Sequence, residues 1–416
     1  MSASRIVITG MGAVTPLGIG VADYWRALIE GECGVDALTR FDASLLPVRI
    51  AAEVHDLPED DLPRAVARNA ARFMRYAFVA GVEALAQSGL DIAGAPERVG
   101  ITMGTALAGI AEASAGEAAF LGSKTGKVSP HFVPMIIGNM AAAHLAIHYG
   151  IHGPGMTLET ACSAGGDAIM TAAMLLRAGE ADAMLVLGGE SILCPSVVSS
   201  LAQARALSRR NDAPKAASRP FDRDRDGFVI GEGGGALVLE MLAHARARGA
   251  QVLAELAGWG NSLDAHHITA PDPTGEGAAA CMRAALRRAG LAPSAIGYVN
   301  AHGTSTGLGD IAETVALKKV FGGIDTAPPV SSTKGATGHL MGAGGITEII
   351  ACIMALREGI LPPTLNLDTP DPQCDLDYVP RTAREARVDA AMSNSLGFGG
   401  QNSSIIVTRP AEETAS

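Results

Sequence analysis

The sequence predicts an α/β fold, on three observations. Short β-branched runs alternate with Ala-rich stretches of helical length, several of those runs are apolar at consecutive positions, and glycines stand where helices should stop. Consecutive apolar residues mark strands covered on both faces, and regular alternation of strand and helix builds a sheet clad by helices. In chain order, Ile6–Thr9 is a strand that runs into the turn Gly10-Met-Gly12. Helical spacing over Ala65–Ser88 closes at Gly89, and Val99–Met103 returns to strand. Gly165–Ala178 is a helix closed by Gly179, followed by the strands Met184–Leu187 and Gly235–Glu240. Helix Gly277–Ala289 stops at Gly290 ahead of strand Tyr298–Asn300, and Gly345–Leu356 is the last helix. Glycine just past the final periodic residue accepts the left-handed conformation that ends a helix. Two irregular segments interrupt the pattern: Ser208–Gly227, dense in both charge signs, and Arg357–Pro380, with five prolines. Composition shifts near Arg246–Gln251, which divides the chain into halves 1–250 and 251–416.

Composition narrows the function. Of 416 residues 48% are hydrophobic, ample for a large core. Lys+Arg 32 against Asp+Glu 43 leave a net charge of −11, which speaks against a nucleic-acid partner, because such binding needs a basic surface. The six cysteines, at 33, 162, 194, 281, 352 and 374, are scattered without a C-x-x-C pair. That pattern suits a reducing cytoplasm rather than a disulfide framework. The start is too short and β-branched for a signal peptide. Val128–Leu158 carries no Asp, Glu, Lys or Arg, yet it holds three prolines, Asn139 and four histidines. A bilayer would penalise that set, so the stretch reads as buried interior or subunit interface.

Three motifs fail on inspection. Asp222-Arg-Asp-Arg-Asp-Gly227 opens like a calcium loop, but position 12 falls on Gly233 and two arginines sit among the ligand positions. His144 and His148 are spaced like zinc-protease ligands, but Leu145 occupies the place of the general base. Gly10-Met-Gly12 lacks the third glycine of a dinucleotide fingerprint.

What survives is a set of three Gly/Ser/Thr-rich turns. The first, Leu158-Glu-Thr-Ala-Cys162-Ser-Ala-Gly-Gly-Asp-Ala168, runs from an extended segment into a helix. A thiol there faces unpaired N–H groups and the positive helix end, which favour the thiolate and can hold an oxyanion. The second runs from Asn300 through His302, Thr304 and Thr306 to Asp310, directly after a strand. The third runs from Ser331 through Lys334 and His339 to Gly345, ahead of a helix containing Glu348. Turns of this composition let backbone approach a ligand and expose a side chain at the carboxyl edge of a sheet. One cysteine and two histidines in three of them point to a nucleophilic site.

With these residues the chain resembles the β-ketoacyl-acyl carrier protein synthases, the elongating Cys-His-His branch of the thiolase-like condensing enzymes. The likeness runs end to end. It is carried by Val7-Ile-Thr-Gly-Met-Gly-Ala-Val-Thr-Pro16, Thr160-Ala-Cys-Ser163, Arg219-Pro-Phe-Asp-Arg-Asp-Arg-Asp-Gly-Phe228, Ala301-His-Gly-Thr-Ser-Thr306, Thr333-Lys-Gly-Ala-Thr-Gly-His339 and Asn394-Ser-Leu-Gly-Phe-Gly-Gly400.

The resemblance implies a duplicated five-layer α/β/α/β/α fold, dimeric, with acyl pockets near the interface. It implies that Cys162 takes an acyl chain from a carrier-protein thioester. His302 and His339 then hold the malonyl thioester oxygen as decarboxylation makes an enolate, and the N–H groups of Cys162 and Phe398 form the oxyanion hole. Lys334, paired with Glu348, orders the histidines. Thr304 and Thr306 match pantetheine-binding positions; Leu107, Leu201 and Phe398 match the acyl pocket and its gate. Arg68, Lys127 and Arg205 match docking positions for an acidic acyl carrier protein. No cofactor or metal is implied, since phosphopantetheine arrives on the carrier. Leu396 and Gln401 stand where Phe and Thr are common, Gly307 replaces a common Pro and Leu201 a frequent Phe, so the substitutions cluster at the pocket and gate. Fatty-acyl elongation is the leading activity. Its alternatives are a polyketide or polyene ketosynthase, as a homodimer or with a chain-length partner, and a non-catalytic chain-length subunit. The last lacks a nucleophile, and Cys162 with both histidines argues against it.

Overall fold

Alternating residues along the central strands point into different apolar layers, and that alternation builds the architecture. The computed structural model describes residues 5–410. In the N-terminal half the main strands are β1 (Ile6–Thr15), β2 (Val99–Gly104), β3 (Gly155–Leu158), β4 (Ala183–Glu190) and β5 (Gly233–Met241). In the C-terminal half they are β6 (Ala254–Leu263), β7 (Tyr298–Asn300), β8 (Val330–Ser331), β9 (Ala390–Gly397) and β10 (Gln401–Thr408). The first half pairs in the order β3-β2-β4-β5-β1 and the second in the order β8-β7-β9-β10-β6. The sense of pairing is the same in both, parallel, parallel, antiparallel, antiparallel. The fold is therefore a duplication. The halves join through three antiparallel register pairs, Ile6 to Ile8 against Leu256 to Ala254, into one eleven-stranded sheet that also counts Gly18–Ile19.

The principal helices are α1 (Arg72–Ser88), α2 (Met140–Tyr149), α3 (Ala164–Ala178), α4 (Glu276–Ala289), α5 (Gly307–Phe321) and α6 (Gly344–Glu358). On β4 and β5, Leu185, Leu187, Ala236 and Val238 pack with the outer helix α1. Their neighbours Met184, Val186, Leu237 and Leu239 pack with α3 and α6. In the other half Ile405, Val407 and Ala391 face the same α3–α6 layer, while Ile406, Met392 and Ala390 face α4 and α5. A period of two therefore sorts the side chains into five layers, α/β/α/β/α, with α3 and α6 in the middle. Helix α6 is apolar on every side because it is enclosed on every side: Ile346, Ile349, Ile350, Cys352, Ile353 and Leu356 are all buried.

Three expectations need correction. The helix expected over Ala65–Ser88 is two, Arg64–Asn69 and α1, separated by extended Ala70 and Ala71. The break is sustained from a distance: Arg75 donates to the carbonyls of Ala67 and Ala70, and Glu112 accepts from Arg72 N–H. Of the two readings of the uncharged stretch 128–158, interior or subunit interface, the first fails: α2 buries Ala141 and Leu145 but leaves Ile147 82% exposed, and Met156 on the edge strand β3 is 48% exposed. Gly10 and Gly12 lie within β1 rather than in a turn, and α1 crosses so closely that a Cβ on Gly12 would sit 1.9 Å from the carbonyl oxygen of Ala80. Among the described residues no helix is long and apolar enough to cross a membrane.

That crossing gives a test of the packing. Gly12→Ala is expected to destabilise the protein by about 1–3 kcal/mol, the usual cost of overpacking. A denaturation midpoint unchanged from wild type would refute it.

Candidate active site

Each catalytic candidate lies in a turn that leaves the carboxyl end of a strand, where α/β sheets bind ligands. Cys162 follows β3, His302 follows β7, His339 follows β8 and Phe398 follows β9. The duplication also relates two of these turns. Ala161 (φ 52°) opens the short 3-10 turn into α3, and Met341 (φ 46°) opens the corresponding turn into α6. The two helices start in contact: a Cβ on Gly165 would lie 2.8 Å from Gly342 O, and one on Gly345 would lie 2.8 Å from Gly166 N. Only glycine permits that approach, and it brings the Cys162 turn against the His339 turn.

His339 Nε2 lies 3.1 Å from Cys162 Sγ. Met341 N–H donates to His339 Nδ1 at 3.3 Å, so Nδ1 is the acceptor and the proton sits on Nε2, facing the thiol. The backbone of His339 is stitched to the N-terminal half: its N–H donates to Val229 O and its carbonyl accepts from Gly231 N–H. His302 stands edge-on to His339 with ring centroids 5.2 Å apart. The donor atoms of Cys162, His302 and His339 all lie within 4.8 Å of one another. Burial holds both imidazoles well below their ordinary pKa, and the nearby Lys334 ammonium pushes the same way. Both rings are therefore neutral at physiological pH. A metal could use such a trio, but the protonated Nε2 of His339 and the Lys334 charge dispose the site toward a developing anion instead.

Lys334 is fully buried and its Nζ donates to Glu348 Oε1, an ion pair between the third turn and α6. Glu348 Oε2 and His302 Nδ1 are buried and make no hydrogen bond among the described residues. Gly397 packs against the nucleophile turn, where a Cβ would lie 3.2 Å from Cys162 N. Phe398 N–H is hydrogen-bonded to the Cys162 thiol, while its ring, 43% exposed, projects from the hairpin between β9 and β10. The expectation of a favoured thiolate is reversed. Burial pushes the thiol up to about 11, against the lowering influence of Phe398 N–H and Lys334, so Cys162 rests as a neutral thiol.

The remaining sequence candidates divide. The hydroxyls of Thr304 and Thr306 lie 3.1 Å apart at the turn after β7. Leu201 packs in the same apolar cluster as Cys162, with Ile192, Val198 and Phe228. Leu107 is outside that cluster and 45% exposed in the single chain. Arg68, Lys127 and Arg205 are exposed and free of ion pairs among the described residues. His144 and His148 form no metal cluster, and the His148 ring packs edge-on to Phe78.

Sequence reading missed the carboxylates that hold these turns. Glu313 accepts from His302 N–H (2.9 Å) and Gly303 N–H (2.8 Å). Glu190 accepts from the N–H groups of Ala106, Leu107 and Gly342. Burial pushes each of these acids up to about 7. The calcium-like loop is a brace, with Asp222 accepting from Arg219 and from three backbone N–H groups. Arg225 of the same loop donates to the carbonyls of Thr306 and Gly307.

Comparison with known proteins agrees with the fold. Residues 3–245 match the beta-ketoacyl synthase N-terminal domain and residues 253–368 the beta-ketoacyl synthase C-terminal domain. The 3-oxoacyl-[acyl-carrier-protein] synthase 2 of Coxiella burnetii is 45% identical over 98% of this chain and 99% of its own. A solved beta-ketoacyl synthase from Burkholderia phymatum superposes with a TM-score of 0.90 at 36% identity, covering 98% of this chain and 100% of that one. A type II polyketide ketosynthase, solved in complex with its acyl-carrier protein and bound to the hexaketide, gives a TM-score of 0.90 at 32% identity, with coverage of 98% and 100%. Fold and relatives define a thiolase-like acyltransferase. The chain belongs to the β-ketoacyl synthase family.

The raised thiol predicts a pH dependence. Only the thiolate alkylates, so the iodoacetamide rate at Cys162 should keep climbing between pH 7 and pH 10, short of a thiol pKa of about 11. A plateau near neutrality, followed by mass spectrometry of the labelled peptide, would contradict it.

Proposed function

We propose that the protein catalyses the decarboxylative Claisen condensation of a Cys162-bound acyl chain with malonyl-acyl carrier protein in fatty-acid biosynthesis, lengthening the chain by two carbons. The observation that carries this reading is a thiol facing a neutral imidazole whose Nε2–H points at it, with a second neutral imidazole alongside. Cys162 loses its proton as it attacks the acyl-carrier thioester, and the pantetheine thiol leaves with a proton. His302 and His339 then donate to the malonyl thioester oxygen while carbon dioxide departs. A neutral donor suits this step, since it stabilises the enolate without quenching it. The enolate carbon attacks the Cys162 thioester, the N–H groups of Cys162 and Phe398 hold the oxyanion, and collapse expels the thiolate. Thiolate serves as nucleophile and as leaving group, so one atom runs both half-reactions.

In this reading Lys334 and Glu348 keep the histidines in place, Thr304 and Thr306 hold the pantetheine arm, and Phe398 gates the acyl pocket. Residues 1–250 supply the nucleophile and residues 251–416 the two histidines. The protein needs no cofactor of its own and works in the cytoplasm. Arg68, Lys127 and Arg205 receive the acidic carrier. Two copies pair across the edge strand β3, which has one free edge and an apolar surround at Val133, Ile137 and Ile147. The structural likeness to a type II polyketide ketosynthase favours, as a second reading, the same chemistry on polyketide or polyene chains, with a chain-length partner in place of the second copy.

Intact-protein mass spectrometry with saturated, unsaturated and β-keto acyl carriers tests both readings. An acyl adduct is expected on wild type and none on Cys162→Ala; the preferred donor then chooses the pathway. His339→Ala should still take up the acyl group but condense at least about a hundredfold more slowly, the usual loss when a donor to a developing oxyanion is removed. An adduct that persists in Cys162→Ala would sink the proposal. For docking, Arg68→Glu with Arg205→Glu should raise KM for the carrier and leave kcat unchanged, because exposed charges act mainly on encounter. Steady-state kinetics at two salt concentrations decide this, and an unchanged KM would exclude that face.

A further inference from the structure

One buried carboxylate gathers the groups on either side of Cys162. Asp167, 3% exposed in the first turn of α3, accepts with Oδ2 from Thr160 Oγ1 at 2.6 Å and from Ser163 Oγ at 2.8 Å. Its other oxygen, Oδ1, accepts from Asn261 Nδ2 at 2.8 Å. Thr160 and Ser163 bracket Ala161 and Cys162, and Asn261 lies on β6 in the other half of the chain. An acid in the first turn of a helix ordinarily complements the helix dipole or caps its free N–H groups. Asp167 does something different, for its partners are two hydroxyls and an amide from outside the helix.

The bracketed segment has need of such a clamp. Ala161 stands at φ 52°, a conformation that costs a residue with a Cβ free energy and persists only where its surroundings over-determine it. The direction of Cys162 Sγ and of Cys162 N–H both follow from that turn. Fixing the hydroxyls on both sides of it to one carboxylate fixes the turn, and Asn261 fixes the carboxylate to the half that carries both histidines.

We propose that Asp167 is a positioning residue for the reaction: through Thr160 and Ser163 it holds the left-handed turn that aims Cys162, and through Asn261 it sets that aim relative to His302 and His339. The inference rests on Cys162 being the nucleophile.

The decisive experiment exchanges the two sides of the clamp in the full chain. Asp167→Asn turns one acceptor into a donor, so either the hydroxyls or the Asn261 amide lose their partner. Single-turnover acylation of Cys162, counted per titrated thiol, should slow by roughly tenfold to a hundredfold, the scale of a small misplacement of reacting atoms, with KM for the carrier unchanged. Combining Asp167→Asn with Asn261→Asp restores a donor facing an acceptor, and should recover most of the rate. Thr160→Val, which removes one hydroxyl and leaves the carboxylate, should slow acylation severalfold and serves if the exchanged pair does not fold. Acylation per thiol within twofold of wild type in Asp167→Asn would overturn the proposal, as would a folded exchange variant that stays slow. Iodoacetamide alkylation at pH 8 needs the Cys162 thiolate but no carrier protein, so it reads the clamp independently of the proposed function. If wild type accepts no acyl group from any carrier, the functional reading fails; the clamp is then judged by whether alkylation slows in Asp167→Asn and returns in the exchange variant.

Discussion

Two helices begin in contact near the middle of the molecule, α3 with its Gly165 and Gly166 against α6 with its Gly345 and the turn residue Gly342 just before it. A Cβ on Gly165 would fall 2.8 Å from Gly342 O and one on Gly345 2.8 Å from Gly166 N, while one on Gly166 would meet Ser403 Oγ at 2.4 Å and one on Gly342 the Ala106 N at 2.6 Å. Around this crossing everything else is arranged. The crossing sets the separation of the layers, puts the turn before each helix against the other, and leaves Cys162 Sγ 3.1 Å from His339 Nε2 although 177 residues separate them in the chain. Close packing turns a small change at such a point into a displaced site rather than a locally relaxed one.

Enclosure then decides the charge states. The layer that holds α3 and α6 is largely apolar, and burial beside it pushes the Cys162 thiol and the His302 and His339 imidazoles toward their neutral forms. Both imidazoles remain uncharged and the thiol remains protonated, while Lys334 and Glu348 stay as a pair by sharing a hydrogen bond. A single fixed cation behind two neutral donors makes a field ready for negative charge that exists only during reaction. That is electrostatic preorganisation.

The parts of this arrangement legible in the sequence were those with local signatures. Cys162 precedes a helix, His302 and His339 sit among glycines and threonines after strands, and all three stand together in space. The class of fold was equally plain in the alternation of apolar runs. Glu190, Glu313 and Asp167 were not legible, because a carboxylate that captures N–H, hydroxyl or amide groups through the folded turn leaves no pattern at its own position. Glu190 reaches Gly342, 152 residues away. The break at Ala70 and Ala71 was hidden because side chains satisfy it, Arg75 from the next helix and Glu112 from forty residues away. The thiol misled in a further way. A helix end is a local feature that suggests the anion, but burial is a property of the whole fold, and it pushes the thiol the other way.

The join between halves has a consequence for synthesis in the cell. Strand β1 is finished within the first 15 residues, yet its neighbour on one side, β6, ends at Leu263 and the hairpin that completes the second half ends at Thr408. At ordinary rates of translation the ribosome takes on the order of tens of seconds to cover that distance. Meanwhile the nascent chain presents an open β edge and the apolar side of α3 that the C-terminal half will cover, a surface prone to pairing with the wrong partner. The seam that later divides one active site between two halves is thus, during translation, the place where a holding chaperone has the most to shield.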